Sequence, residues 1–122
     1  MRMWMVKPDT LCRKHLLGEH VELHMLVGCI DKGYSIQGYL ENGLIDTGNI
    51  NSRHEQLSQE MKRRGYNHKS DLKKVIYSGP AGHVEIQKSL NDLHNRCTDC
   101  LRLNINKEKG TIHSSSSSLL RD

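Results

Sequence analysis

The sequence predicts a mainly α-helical protein, a compact single-domain bundle of about three helices. Three segments carry apolar residues at helical spacing, and stretches rich in glycine and asparagine separate them. A length of 122 residues suits one domain or one domain with a tail. The chain is 35% hydrophobic with a mean hydropathy of −0.67, which is lean for a packed core and favours a polar tail.

The first helix is predicted to begin at Pro8-Asp9, where Asp9 can cap it, and to end at Gly28. A second helix is predicted to start at a capping box formed by Ser52 and Glu55 and to end at Gly65. Its last turn is basic, which suits the negative end of a helix dipole. These basic residues are Lys62, Arg63 and Arg64.

The third helix is predicted from about His83 to Leu103, because apolar residues recur there at helical spacing. Residues 29–51 predict a loop with one helical turn around Ile36 to Leu40. From residue 104 onward the pattern is lost, and five serines follow each other at Ser114–Ser118. We therefore divide the chain into a helical domain, 1–103, and a polar tail, 104–122, which we expect to be disordered.

The formal charge of +4 permits a polyanionic partner but does not require one. No stretch is long and apolar enough to span a membrane, and the first residues do not resemble a signal peptide. We expect a cytoplasmic protein with reduced cysteines and no membrane partner.

The residues most suggestive of chemistry lie in the first helix and just before it. His15, Glu19 and Glu22 are spaced i, i+4 and i+7, so they share one helix face. Met1 is expected to be retained, because Arg2 is too large for the enzyme that removes methionine before small residues. An α-amine has an ordinary pKa of roughly 7.7–8.0, well below that of lysine, so more of it is nucleophilic near neutral pH. An amine beside a carboxylate can perform Schiff-base chemistry; the alternative is a solvated polar helix face.

Two patterns leave metal binding open as an alternative. His20 and His24 are spaced i and i+4 on the first helix, as two metal-binding histidines often are. The zincin motif also requires a glutamate directly after the first histidine, and this chain has Val21 there. Cys97 and Cys100 form a CxxC pair, which alone is a weak indication of a zinc site. The residues that can complete such a site remain undetermined: Cys12, Cys29, His94 or His113.

Two segments of the sequence form a recognisable pattern: RKHLLGEHVEL at Arg13–Leu23 and EMKRRGYN at Glu60–Asn67. Both resemble the pyrimidine-dimer DNA glycosylases of the phage endonuclease V type. When His15, Glu19 and Glu22 are placed on the family's His, Glu and catalytic Glu, Met1 falls on the family's first residue. The resemblance covers mainly residues 1–70.

This resemblance implies a helical domain whose amino-terminal segment packs between helices. It implies a DNA repair glycosylase with abasic-site lyase activity, in which the α-amine of Met1 attacks the damaged nucleotide. Glu22 then assists sugar-ring opening and β-elimination. No cofactor or metal ion is expected, and the expected partner is double-stranded DNA containing damaged bases, bound by a monomer.

The resemblance also implies substrate-binding residues. Arg2, His15 and Glu19 are expected to orient the substrate, and the basic residues Lys62, Arg63 and Arg64 to contact the DNA backbone. Two family arginines that touch DNA fall here on Val21 and Met25. Two other functions stay open: a non-catalytic DNA-binding protein on the same scaffold, and a metal-dependent hydrolase that uses His20, His24 and a carboxylate.

Overall fold

The structure is a computed structural model that describes residues 1–67, 71–75 and 77–112, with side chains up to residue 106. Within these residues it is mainly helical, without strands, which confirms the predicted class. In the part of the chain that the structure describes, five α-helices follow one another: α1 (Arg13–Asp31), α2 (Gln37–Glu41), α3 (Ile50–Arg63), α4 (Ile86–Arg96) and α5 (Thr98–Ile112). Short 3-10 helices precede α1 at Pro8–Thr10 and α3 at Thr47–Asn49.

The ends of α1 and α3 are set by glycines with positive φ. Gly65, with φ of +86°, follows α3, and its N–H and that of Tyr66 bond back to the last turn, as the sequence predicts. The predicted end of α1 at Gly28 is wrong. The helix continues to Asp31 and closes with the same motif around Gly33, whose φ is +76°.

Two predicted helix starts are also wrong. Asp9 lies in the 3-10 helix, and Cys12 occupies the N-cap of α1. The capping box at Ser52 does not form, because α3 already begins at Ile50 and the Ser52 hydroxyl donates to the carbonyl of Asn49. The chain approaches α3 through a 3-10 turn, which starts the helix earlier than the sequence pattern suggests.

The predicted third helix is broken into two. Cys97 adopts an extended conformation, with φ of −136° and ψ of 108°, between α4 and α5. The predicted turn around Ile36 to Leu40 corresponds to α2. Helix α5 continues past residue 103 to Ile112, and the serine run at Ser114–Ser118 lies outside the described residues. The division into a domain, 1–103, and a tail, 104–122, therefore stays a prediction.

The core lies between α1, α3, α4 and the start of α5 and includes the amino-terminal segment, residues 1–6. The buried apolar side chains come from all of these parts of the chain. Among them are Met3, Trp4, Val6, Leu16, Leu23, Leu26, Leu57, Met61, Leu93 and Cys100. Within the described residues, no helix combines the length and the apolar character needed to cross a bilayer.

Candidate active site

The amino-terminal segment is held between several elements by backbone hydrogen bonds. The N–H of Met3 donates to the carbonyl of Leu44 at 2.7 Å, and the carbonyl of Trp4 accepts from the Ser89 hydroxyl at 2.6 Å. The carbonyl of Val6 accepts from the Arg53 guanidinium at 2.7 Å. The extended segment thus has partners before α3, on α3 and on α4, which confirms that it packs between helices.

The carboxylate of Glu22 lies beside the start of this segment. Its Oε1 accepts a hydrogen bond from the backbone N–H of Arg2, with 2.6 Å between oxygen and nitrogen. The nitrogens of successive residues are less than about 4 Å apart, because only three bonds join them. The α-nitrogen of Met1 therefore lies within about 7 Å of Glu22 Oε1. Both residues are half-buried.

Arg2 stacks on the single tryptophan of the chain. The carbon at the centre of its guanidinium lies 3.9 Å from the centroid of the Trp4 ring, and one nitrogen lies 3.6 Å from the carboxylate of Asp92. Burial lowers the pKa of Arg2, and Asp92 opposes that shift. Nε of Arg2 is buried without a hydrogen-bond partner among the described residues.

Arg2 also borders an open cavity of about 280 Å³. The opposite walls come from the loop after α2 and from α4, with Leu44, Lys88 and Asp92 among the lining residues. This cavity gives a ligand access to Arg2 from solvent, and Met1 and Glu22 are not among its lining residues. Its size suits a group such as a sugar or a phosphate rather than a whole nucleotide pair.

His15 also contacts the Trp4 ring. The two rings make an edge-to-face contact, with 5.8 Å between their centroids. Nδ1 of His15 faces the sulfurs of Cys12 and Cys100 at 3.2 and 3.6 Å. Burial and the nearby Lys14 lower the pKa of His15, and the charge of Glu22 partly opposes them.

Glu19 was expected to contact the substrate, but it lies in the core. Its side chain has 0% exposure, and both of its oxygens accept from the Arg53 guanidinium, at 2.6 and 2.9 Å. A carboxylate with both oxygens occupied in the core is not available to a ligand. Its observed role is to hold Arg53, which in turn binds the carbonyl of Val6 in the amino-terminal segment.

A comparison with models of protein families gives one match. The model for pyrimidine dimer DNA glycosylase matches residues 1–74, which is more than half of the chain. This protein belongs to the pyrimidine dimer DNA glycosylase family. The family is one of DNA repair enzymes that act on DNA, and the resemblance noted in the sequence is thereby confirmed. No curated protein and no solved structure matches the chain in the corresponding searches.

The three basic residues at the end of α3, which were predicted to contact DNA in this family member, divide into two kinds. Arg64 is mostly buried and donates to the carbonyls of Pro8 and Leu11, so it fastens the turn before α1. Arg63 is 62% exposed although it pairs with Glu60, and Lys62 is exposed. Only the last two are placed where a DNA backbone can reach them.

The glycosylase surface beside Glu22 carries two exposed apolar side chains. Val21 and Met25 are each 54% exposed and lie one turn apart on α1. At these positions the family resemblance implies arginines that contact DNA. The face of α1 next to the candidate site is therefore less basic in this chain than the resemblance implies.

The two histidines considered for a metal site come together with a third. His20 and His24 on α1 lie beside His54 on α3, with 3.1 Å between Nε2 of His20 and Nε2 of His54. Among the described residues, no carboxylate joins this group, and His20 and His54 are buried. The arrangement lacks the carboxylate that the metal-dependent hydrolase hypothesis includes.

Sequence reasoning missed several residues of the candidate site. The Arg2 guanidinium contacts Trp4 and Asp92. The guanidinium carbon of Arg96 lies 5.9 Å from the centroid of the same Trp4 ring. A lone tryptophan next to Arg2 was a signal that the sequence offered. Asp92 and Arg96 carry no such signal, because their place depends on how α4 packs.

Proposed function

We propose that this protein is a pyrimidine-dimer DNA glycosylase with abasic-site lyase activity. The α-amine of Met1 is the nucleophile, and Glu22 is the acid/base. The observation that supports this assignment is the 2.6 Å hydrogen bond between the Arg2 amide and Glu22 Oε1, which brings a carboxylate next to the residue that carries the amine. This proposal requires that the α-amine of Met1 is free.

In the glycosylase step, the neutral amine attacks C1′ of the damaged nucleotide. The bond between C1′ and the base breaks, and the base leaves with the electron pair and gains a proton. Glu22 then assists opening of the sugar: the C1′–O4′ bond breaks, O4′ takes a proton, and an iminium ion forms between C1′ and the α-nitrogen. A carboxylate beside this cation stabilises its charge.

In the lyase step, the iminium ion acts as an electron sink and makes the C2′ proton acidic. Glu22 accepts that proton, the electrons form a C1′–C2′ enamine and then the C2′–C3′ double bond, and the bond from C3′ to the phosphate oxygen breaks. Water then hydrolyses the imine and releases the amine of Met1. One amine and one carboxylate suffice for the whole sequence.

Other residues have supporting roles in this proposal. Arg2 borders the cavity, and its guanidinium suits a phosphate next to the reacting sugar. His15 orients the site through its contact with Trp4, since its Nδ1 already faces two sulfurs. Lys62 and Arg63 contact the DNA backbone, whereas Glu19 and Arg64 support the fold.

The test is covalent trapping with borohydride, which reduces the imine to a stable amine. The full chain is incubated with DNA containing either one cyclobutane dimer or one abasic site, and the adduct is digested and sequenced by mass spectrometry. The expected adduct lies on the α-nitrogen of Met1. Two controls are a chain acetylated at Met1, which should form none, and undamaged DNA.

The outcomes separate this proposal from the non-catalytic alternative. Salt-sensitive DNA binding without any adduct on either substrate supports the DNA-binding protein and overturns the proposed enzyme. An adduct on a lysine side chain rejects Met1 as the nucleophile. An adduct with abasic DNA alone rejects dimer excision and leaves the lyase chemistry.

A further inference from the structure

A second group of reactive side chains lies at the starts of α1 and α5. Cys12 is the N-cap of α1 and His15 lies in its first turn, while Cys97 precedes α5 and Cys100 lies in its first turn. The two pairs, Cys-x-x-His and Cys-x-x-Cys, are more than eighty positions apart in the sequence. The fold brings all four ligand atoms within 4.8 Å of one another.

The distances in this thiol–imidazole cluster match those around a tetrahedral zinc ion. With Zn–S of about 2.3 Å and Zn–N of about 2.0–2.1 Å, two sulfurs are about 3.8 Å apart and a sulfur and a nitrogen about 3.6 Å apart. The sulfurs of Cys12 and Cys97 are 3.7 Å apart. Nδ1 of His15 lies 3.2 Å from Cys12 Sγ and 3.6 Å from Cys100 Sγ.

Backbone amides support the sulfurs in this cluster. The N–H of Cys12 donates to Cys100 Sγ at 3.2 Å, and the N–H of Cys100 donates to Cys97 Sγ at 3.4 Å. Such bonds favour thiolates, and they orient the ligands of a metal from outside its coordination shell. Cys100 has 0% exposure and the other three residues are half-buried, so the cluster is largely withdrawn from water.

A disulfide accounts for this arrangement less well. A disulfide joins only two of the three sulfurs. It does not explain why the imidazole of His15 and the third thiol lie beside them. All four cysteines of the chain are free thiols, and Cys29 is not part of the cluster. Of the other ligands considered from the sequence, His94 is not part of it, and His113 lies outside the described residues.

We propose that Cys12, His15, Cys97 and Cys100 bind one zinc ion in a closed structural site. Four protein ligands leave no position for water or substrate, so this metal ion takes no part in hydrolysis. It ties the start of α5 to the start of α1 and fixes His15 against Trp4, on which Arg2 stacks. Cys12 and His15 lie within the segment that matches the family, and Cys97 and Cys100 lie beyond it.

The first test measures metal in the full-length protein, purified under reducing conditions without chelator. We expect one zinc ion per chain, lost in the double variant Cys97→Ser/Cys100→Ser and kept in Cys29→Ser, a thiol of α1 outside the cluster. Less than stoichiometric zinc after supplementation of the growth medium overturns the proposal. Full zinc retention in the double variant overturns it as well.

The second test uses the unmodified chain and does not depend on a variant that folds. Co²⁺ in place of zinc should give thiolate-to-cobalt charge-transfer bands, which a metal ion on His20, His24 and His54 cannot give. Thiol titration of the zinc protein should find one reactive cysteine, and a chelator should release three more, which accounts for the four in the sequence. Absent charge-transfer bands, four reactive thiols before chelation, or a disulfide in the reduced preparation reject the site. None of these readouts depends on glycosylase activity.

Discussion

Glu22 accepts a hydrogen bond from the backbone amide of Arg2 at 2.6 Å, and this bond joins the middle of α1 to the residue after Met1. The carboxylate thereby holds the amino-terminal segment at the residue that follows the amine. The bond uses one oxygen of Glu22, which leaves the second oxygen as the candidate for proton transfer.

Replacing Glu22 by Gln should remove strand cleavage and keep the fold. The amide oxygen of glutamine can still accept from the Arg2 N–H, but it cannot take the C2′ proton. We expect the rate of β-elimination on abasic DNA to fall by about 10²–10⁴-fold. Gel-resolved cleavage rates measure this, with Glu55→Gln at an exposed position of α3 as the matched control. Unchanged cleavage in Glu22→Gln contradicts the acid/base role.

The buried pair of Glu19 and Arg53 should contribute to stability rather than to catalysis. Glu19→Gln leaves the Arg53 guanidinium, whose side chain is 1% exposed, without its countercharge. We expect the free energy of unfolding to fall by about 3–5 kcal/mol, as for other buried pairs that lose one partner. Urea unfolding followed by circular dichroism measures it.

The double variant Glu19→Leu/Arg53→Met serves as the control for this pair. It removes both charges, so it should recover a large part of the loss. A loss of about 1 kcal/mol or less in Glu19→Gln, which is typical of exposed pairs, contradicts the assigned role.

Glu60 should make the stability of the protein depend on pH. Burial alone raises the pKa of Glu60, but hydrogen bonds from Arg63 and Arg64 outweigh it and hold the pKa below the ordinary 4.5. Its contribution is therefore complete above pH 4.5 and is lost as the pH falls through the lower pKa of the folded state. Unfolding curves of wild type and Glu60→Gln should differ at pH 7 and converge in acid. A difference that stays constant with pH contradicts this linkage.

The apolar residues beside Glu22 should limit the affinity for DNA. Val21→Arg and Met25→Arg change side chains that are each 54% exposed, so the fold should tolerate both. If each arginine gains one phosphate contact, the slope of log K against log salt steepens by about 0.9 per variant. Fluorescence anisotropy with duplex DNA measures the slope, and Val21→Gln and Met25→Gln are the uncharged controls. If the slope of log K against log salt is the same in the Arg and Gln variants, this face of α1 does not contact DNA.

The sequence by itself determined the helical class, the approximate positions of α1 and α3, the end of α3 at Gly65 and the family resemblance. These features depend on residues close together in the chain: apolar spacing, a terminal glycine and a short motif. The same local information placed His15 and Glu22 on one face of α1. It misplaced the end of α1, because Gly28 and Gly33 are both local candidates for a C-terminal cap and only Gly33 has positive φ.

The tertiary structure alone decided which of these side chains meet. It paired Glu19 with Arg53 in the core and brought Cys12 and His15 to Cys97 and Cys100. Contacts between residues distant in sequence depend on how the helices pack and on where the amino-terminal segment runs between them. The spacing of apolar residues specifies which face of a helix is buried. Which element packs against that face depends on how the whole core is assembled.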